Sequence, residues 1–126
     1  PDESIDLTAL QERMPELRRQ NGAPGIITPG SEGAVISDPE ILFVPTLRLS
    51  GPLDTTGAGD SVTAGSVLAL AAGATLPEAT LIGMLTASVT VQQLGTTGVA
   101  APEDLIRQLS AWHSQRSEAP ETPSNP

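Results

Sequence analysis

No cysteine, lysine or tyrosine occurs in this chain, and histidine, phenylalanine and tryptophan occur once each. Without cysteine there is no disulfide, no thiolate-bound zinc and no thiol nucleophile. One histidine excludes a multi-histidine metal site. The lack of cysteine does not itself assign a compartment, but nothing else here asks for an oxidising one. Cations are scarce: six arginines stand against fifteen acids, for a formal net charge of −9. Binding to duplex nucleic acid or to an anionic membrane surface needs clustered cations, so both are disfavoured. With so few rings, base stacking on an aromatic platform is disfavoured too. The core must come from Leu, Ile, Val and Ala.

Long apolar runs are also missing. Residues 79–102 carry no charge, yet Thr80, Thr86, Ser88, Thr90, Gln92 and Gln93 interrupt them. A membrane span needs about 20 nearly continuous apolar residues. A helix buried inside a protein is therefore expected, with no membrane partner. Asp2, Glu3 and Asp6 are unlike the basic start of a signal peptide. The expected protein is soluble and cytoplasmic. It starts at Pro1 rather than at methionine, as a processed start or a piece of a longer chain would.

What is present is one domain's length, 126 residues, with twelve glycines and twelve prolines that mostly separate periodic segments. Leu7, Leu10, Met14 and Leu17 recur at helical spacing over residues 6–20, and Asp6 can cap the start. Pro15 predicts a kink or break, and Asn21-Gly22 an end. Gly25 to Thr28 reads as a buried strand. Ala34 to Ile36 and Ile41 to Val44 read as two strands joined by a turn. Thr46 to Ser50 alternates and reads as a further short strand. A buried helix is expected from Asp60 to Ala72, ending at Gly73. Thr75 and Glu78 match a capping box for a central helix reaching about Leu94. Pro102 opens a last helix whose Leu105, Ile106, Leu109 and Trp112 form one stripe. Mixed strands and helices predict an α/β layer structure. Only one strand suits a central parallel sheet, which leaves the apolar helices under-covered and hints that part of the protein is missing.

Asp54-Thr55-Thr56-Gly57-Ala58-Gly59-Asp60 is the segment that carries chemistry. Gly57, Ala58 and Gly59 bring backbone N–H groups close to a ligand at the start of a helix. Such a terminus binds anions through its unpaired donors and dipole, and can hold charge that develops in a transition state. Asp60, in the first turn, can accept a proton from an attacking hydroxyl. In a loose phosphoryl-transfer transition state that proton leaves late, so position matters more than base strength.

With Ala64-Gly65 after it, this string resembles the C-terminal signature of the ribokinase-like (PfkB-type) carbohydrate kinases. Thr28-Pro29-Gly30-Ser31-Glu32-Gly33, after a strand, is similar to that family's T-x-G-x-x-G nucleotide segment. Gly95-Thr96-Thr97-Gly98 before a proline-started helix also fits, so the resemblance spans about residues 5 to 114. It implies the C-terminal part of a ribokinase-like three-layer αβα (Rossmann-like) fold with an incomplete sheet. Residues 1–116 would be the ATP-binding and catalytic portion, and 117–126 a disordered tail. The implied activity is transfer of the γ-phosphate of ATP to a hydroxyl of a sugar or related small molecule. Asp60 matches the base, and Gly57, Ala58 and Gly59 match the anion hole. Thr28, Gly30 and Gly33 match the ATP site, and Thr96 and Thr97 an ATP-side loop. Asp54 and Thr56 match a monovalent-cation site (K+ in cation-activated members), with backbone oxygens near Thr90, Gly95 and Val99. Mg2+ would arrive with ATP.

The sequence departs from the family pattern at Val62, where Phe is common, and at Ser66, where an apolar residue is usual. Pro29 stands in place of Leu, and Gly83 falls near an Asn that often meets the adenine edge. The family's longer N-terminal region, with most of the sheet and the sugar-binding residues, has no counterpart here. The competing reading is a truncated, non-catalytic nucleotide-binding or interaction module that needs a partner chain or forms a homodimer. Elsewhere the plainer readings hold: His113 is a surface residue, Trp112 packs, and Arg18 and Arg19 favour a helix C-terminus; Arg48 could face a phosphate, with a solvated strand residue the favoured reading.

Overall fold

The computed structural model describes residues 7–28, 33–37, 40–94 and 98–118. Helix α1 (Leu7–Asn21) leads into strands β1 (Gly25–Ile27), β2 (Gly33–Ser37) and β3 (Ile41–Pro45). Helices α2 (Ala58–Ala71), α3 (Leu76–Thr90) and α4 (Pro102–Glu118) follow. The helix α1 runs through Pro15 instead of breaking there. Fully buried Met14 anchors the helix beside it, and α1 lies against β2 and β3. Gly22 ends α1 with φ of 67° and donates its N–H to Arg18 O at 2.9 Å.

The sheet order is β1-β2-β3, and both pairings are antiparallel. A strand suited to a parallel sheet was expected; among the described residues β1 pairs only on one edge, antiparallel, with Ile26 opposite Ile36 of β2. A parallel partner would need a crossover connection, and the short β1–β2 link permits only the antiparallel return. Every residue of β2 is buried. Ala34 and Ile36 pack with Val44 and with Met84 of α3, while Val35 and Ser37 alternate to the other side. Both faces of the central strand are thus covered, and it holds the core.

Thr46 to Ser50 forms no strand, although its side chains alternate. At Arg48 its backbone is bonded to a side chain of α4 rather than to a neighbouring strand, and α4 also holds Pro45 just before it. Trp112 Nε1–H donates to Pro45 O at 2.9 Å, and the Gln115 amide both accepts from and donates to Arg48 at 2.8 Å.

The helix α3 is the central helix expected, with Thr80, Gly83, Met84, Leu85 and Ser88 buried along it. It ends at Thr90, short of Leu94. Val91 O there accepts the Asp54 N–H at 2.7 Å, and the Gln93 amide turns aside to bond both backbone groups of Val99. The helices α2 and α3 pack closely because two glycines face each other's helices. A Cβ on Gly65 would lie 2.6 Å from Thr86 Oγ1, and one on Gly83 would lie 2.5 Å from Val62 O.

A buried α2 was expected, yet Val67 and Leu68 are 57% and 72% exposed, in line with the expectation that so few strands leave the apolar helices under-covered. The helix packs against α3 along one side, and no described element covers the other. Ile106 also leaves the expected stripe on α4, at 67% exposed, while Leu105, Leu109 and Trp112 stay half-buried. The helix α4 includes Ser117 and Glu118, which the sequence reading assigned to a tail; the remaining tail residues lie outside the described residues.

Two helix starts share one device. The Thr75 N–H donates to Glu78 at 2.8 Å and Thr75 Oγ1 accepts the Glu78 N–H, completing the capping box. At α4, the Ala101 N–H donates to Asp104 at 2.9 Å. These backbone donors hold both carboxyls below their ordinary values, with Arg107 adding to the effect at Asp104. As pH falls, the unfolded chain takes up these protons first. The stabilisation is therefore full above the ordinary carboxylate range and is lost as pH drops through the lower folded values. The melting temperature is expected to fall between about pH 5 and pH 3. Glu78→Gln combined with Asp104→Asn should flatten that fall, and an unchanged pH profile would contradict the assignment.

Candidate active site

The Gly-rich turn is shaped by its own residues. Asp54 Oδ1 accepts the Thr56 N–H at 3.0 Å, closing a tight turn of the kind Asx residues favour. The Ala58 N–H donates to Thr55 O at 3.1 Å, and Gly57 takes φ 81°, a left-handed conformation that suits glycine. The whole turn is tied to the end of α3 through the Asp54–Val91 bond and through Ser61 Oγ against Thr90 Oγ1 at 2.9 Å.

The helix α2 therefore starts at a fixed place, and no side chain caps it. The N–H groups of Gly59 and Asp60 have no partner among the described residues. A Cβ on Gly57 or Gly59 would meet nothing within 4 Å, so the approach to these donors is open. The Asp60 carboxylate stands exposed in the first turn.

Beside this helix start lies a cleft of about 810 Å³, within the ~300–1,000 Å³ range of small-molecule sites. Thr28 and Gly33 line it together with Thr55, Ala58 and Gly59. The two sequence motifs thus converge on one cavity. Gly33 is held at the start of β2 with φ 152°, and a Cβ there would run into Val44 O and lie 2.9 Å from Pro45 Cα. Gly57 and Asp60 do not line the cleft but flank its lining residues in the chain. Gly30, Thr96 and Thr97 lie outside the described residues, as does Gly95.

Asp54 and Thr56 are joined by their own hydrogen bond, and neither lines the cleft. Of the backbone oxygens nominated for a cation, Thr90 O accepts from the Gln93 N–H and Val99 O from the Gln93 side chain. Each carbonyl keeps a second lone pair for a further contact. Among the described residues no group of three or more His, Cys, Asp or Glu side chains could hold a metal ion. Gly83, placed by the sequence near an adenine contact, is instead buried against Val62 and Ser66 of α2.

The sequence reading missed the rest of the cleft. Thr46 to Leu49 form one stretch of wall, and Leu53, Met84, Ala87 and Val91 contribute apolar surface. The alternation over 46–50 was the only signal for that wall. The contribution of α3 depends on how it packs, which no local motif encodes.

The chain is similar in fold to solved kinases of the ribokinase family. Ribokinase from Thermotoga maritima superposes with a TM-score of 0.68 at 27% identity, over 76% of this chain and 33% of that one. Adenosine kinase from Sinorhizobium meliloti gives 0.67 at 28% identity, over 78% and 30%. Residues 3–104 match the family described as pfkB family carbohydrate kinase, and the chain belongs to that family. The bifunctional protein HldE of Stutzerimonas stutzeri (strain A1501) is 39% identical over 101 residues, covering 78% of this chain. This chain spans about a fifth of the length of that relative. No helix among the described residues is long and apolar enough to cross a membrane.

Proposed function

We propose that this chain supplies the nucleotide site and the proton acceptor of an ATP-dependent kinase. The acceptor is a hydroxyl group of a sugar or related small molecule. The carrying observation is the convergence of Thr28 and Gly33 with Ala58 and Gly59 on one cleft beside an uncapped helix start. ATP, arriving with magnesium, supplies the transferable phosphoryl group. Thr28 and Gly33 bound the nucleotide's side of the cleft, where a side chain at position 33 would collide with β3. The open N–H groups of Gly59 and Asp60 favour negative charge at the transferred group. The Asp60 carboxylate takes the proton from the acceptor hydroxyl as the new phosphorus–oxygen bond forms and the bond to the nucleotide breaks. Asp54 and Thr56, with nearby backbone oxygens, would hold a potassium ion that stiffens the turn. By the family resemblance, Thr96 and Thr97 would contact the nucleotide.

The exposed apolar side of α2 supports a second element of the reading. Relatives are several times longer than this chain. The open side of α2 then packs against the rest of a longer kinase chain, which brings the acceptor to Asp60. A homodimer across the same side is the alternative arrangement.

The test is an assay of the full-length protein with ATP, magnesium and a panel of sugars, sugar phosphates and nucleosides. Acceptor-dependent ADP formation, matched by phosphorylated acceptor, is expected with at least one of them. ATP binding with no transfer to any acceptor would favour the non-catalytic module instead.

A further inference from the structure

Among the described residues, Arg48 is the only charged one that lines the cleft. It is exposed, and no carboxylate is paired with it among the described residues, whereas Arg19 and Arg107 each have an acidic partner. In a chain of net charge −9, one unpaired guanidinium at the cleft is suited to an anionic ligand.

What fixes Arg48 is unusual. It lies in no strand, yet both of its backbone groups are bonded as a strand's would be. The Gln115 amide oxygen accepts the Arg48 N–H at 2.8 Å, and the Gln115 amide nitrogen donates to Arg48 O at 2.8 Å. One turn earlier on the same face of α4, Trp112 donates to Pro45 O. None of the residues of α4 lines the cleft, so Gln115 can influence a ligand only through the segment it holds.

We infer that Arg48 contacts the phosphate groups of the nucleotide in the cleft, and that Gln115 is a positioning residue that fixes Arg48 there. The inference rests on the nucleotide reading of the cleft. A charge-assisted bond from a guanidinium to phosphate is strong enough to register in affinity, and it weakens as salt screens it.

The experiment measures ATP dissociation constants of the full-length protein across a range of ionic strength. Arg48→Gln should weaken ATP binding by about ten-fold at low salt and make the salt dependence shallower. Its exposed side chain makes this variant a safe one for folding, checked by an unchanged melting temperature. Gln115→Ala should weaken ATP binding several-fold with the same shallower salt dependence. In the Arg48→Gln background it should have little further effect. A purely structural Gln115 would lower affinity with the wild-type salt dependence, and that result overturns its positioning role. Unchanged affinity and salt dependence in Arg48→Gln overturn the inference while leaving the nucleotide reading intact. Failure of the wild-type protein to bind ATP at any salt concentration would remove both.

Discussion

Replacing Asp60 with Asn in the full-length protein is expected to lower phosphoryl transfer by about 10³-fold, within the range typical for losing a positioned general base. ATP affinity should change little. The reasoning is geometric. Asp60 stands in the first turn of α2, next to Gly59, and its exposed carboxylate makes no structural bond among the described residues. Asn keeps the size and the local hydrogen-bonding capacity of the side chain but cannot take a proton. A group that acts only as the acceptor hydroxyl loses its proton contributes to the transition state and not to the ground state, so kcat falls while nucleotide binding persists. Steady-state kinetics combined with direct ATP titration checks this. Equal turnover in the variant would remove Asp60 from the mechanism, and a large loss of ATP affinity would reassign it to binding.

The second large effect concerns folding. Gly83→Ala should destabilise the protein by about 2–3 kcal/mol, the cost of forcing atoms into a closed contact. The added Cβ would meet Ser66 Oγ and lie 2.5 Å from Val62 O. A side-chain hydroxyl can turn away, but Val62 O is backbone, so α2 must shift as a unit. Because α2 carries the glycine-rich turn and Asp60 at its start, the shift should also reduce turnover. Ser66→Ala offers a partial rescue in the same chain, since it clears the hydroxyl and leaves the backbone contact. That hydroxyl is buried without a hydrogen-bond partner among the described residues, so losing it removes an unsatisfied group. Chemical denaturation of both single variants and the double variant measures these effects. A Gly83→Ala stability within error of wild type would contradict the close α2–α3 contact.

Much of this was legible in the residues. The capping box at Thr75 and Glu78, the turn at Gly22 and the proline-started α4 are local devices, encoded within a few positions of where they act. The hairpin of β2 and β3 was legible for the same reason. What escaped was non-local. The pairing partner of β1 depends on which strand edge the returning chain meets. That the apolar helices would be under-covered followed from the few strands available, but which side chains stay open, Val67 and Leu68, required the fold. The segment 46–50 has the alternation of a strand, but the backbone of Arg48 within it is bonded to the Gln115 side chain, 67 residues away. At the site, the two glycine motifs could be named from their spelling. That they share one cleft, and that Thr46 to Leu49 form its wall, required the fold.

The claim on which the account turns is that these two motifs form a single nucleotide site. Amide hydrogen exchange of the full-length protein, with and without ATP and magnesium, addresses it most directly. The account predicts that ATP slows exchange together at the start of β2 near Gly33, over Arg48 and Leu49, and at the Gly57 to Asp60 helix start. Protection confined to one motif, or appearing only elsewhere in the molecule, would contradict it.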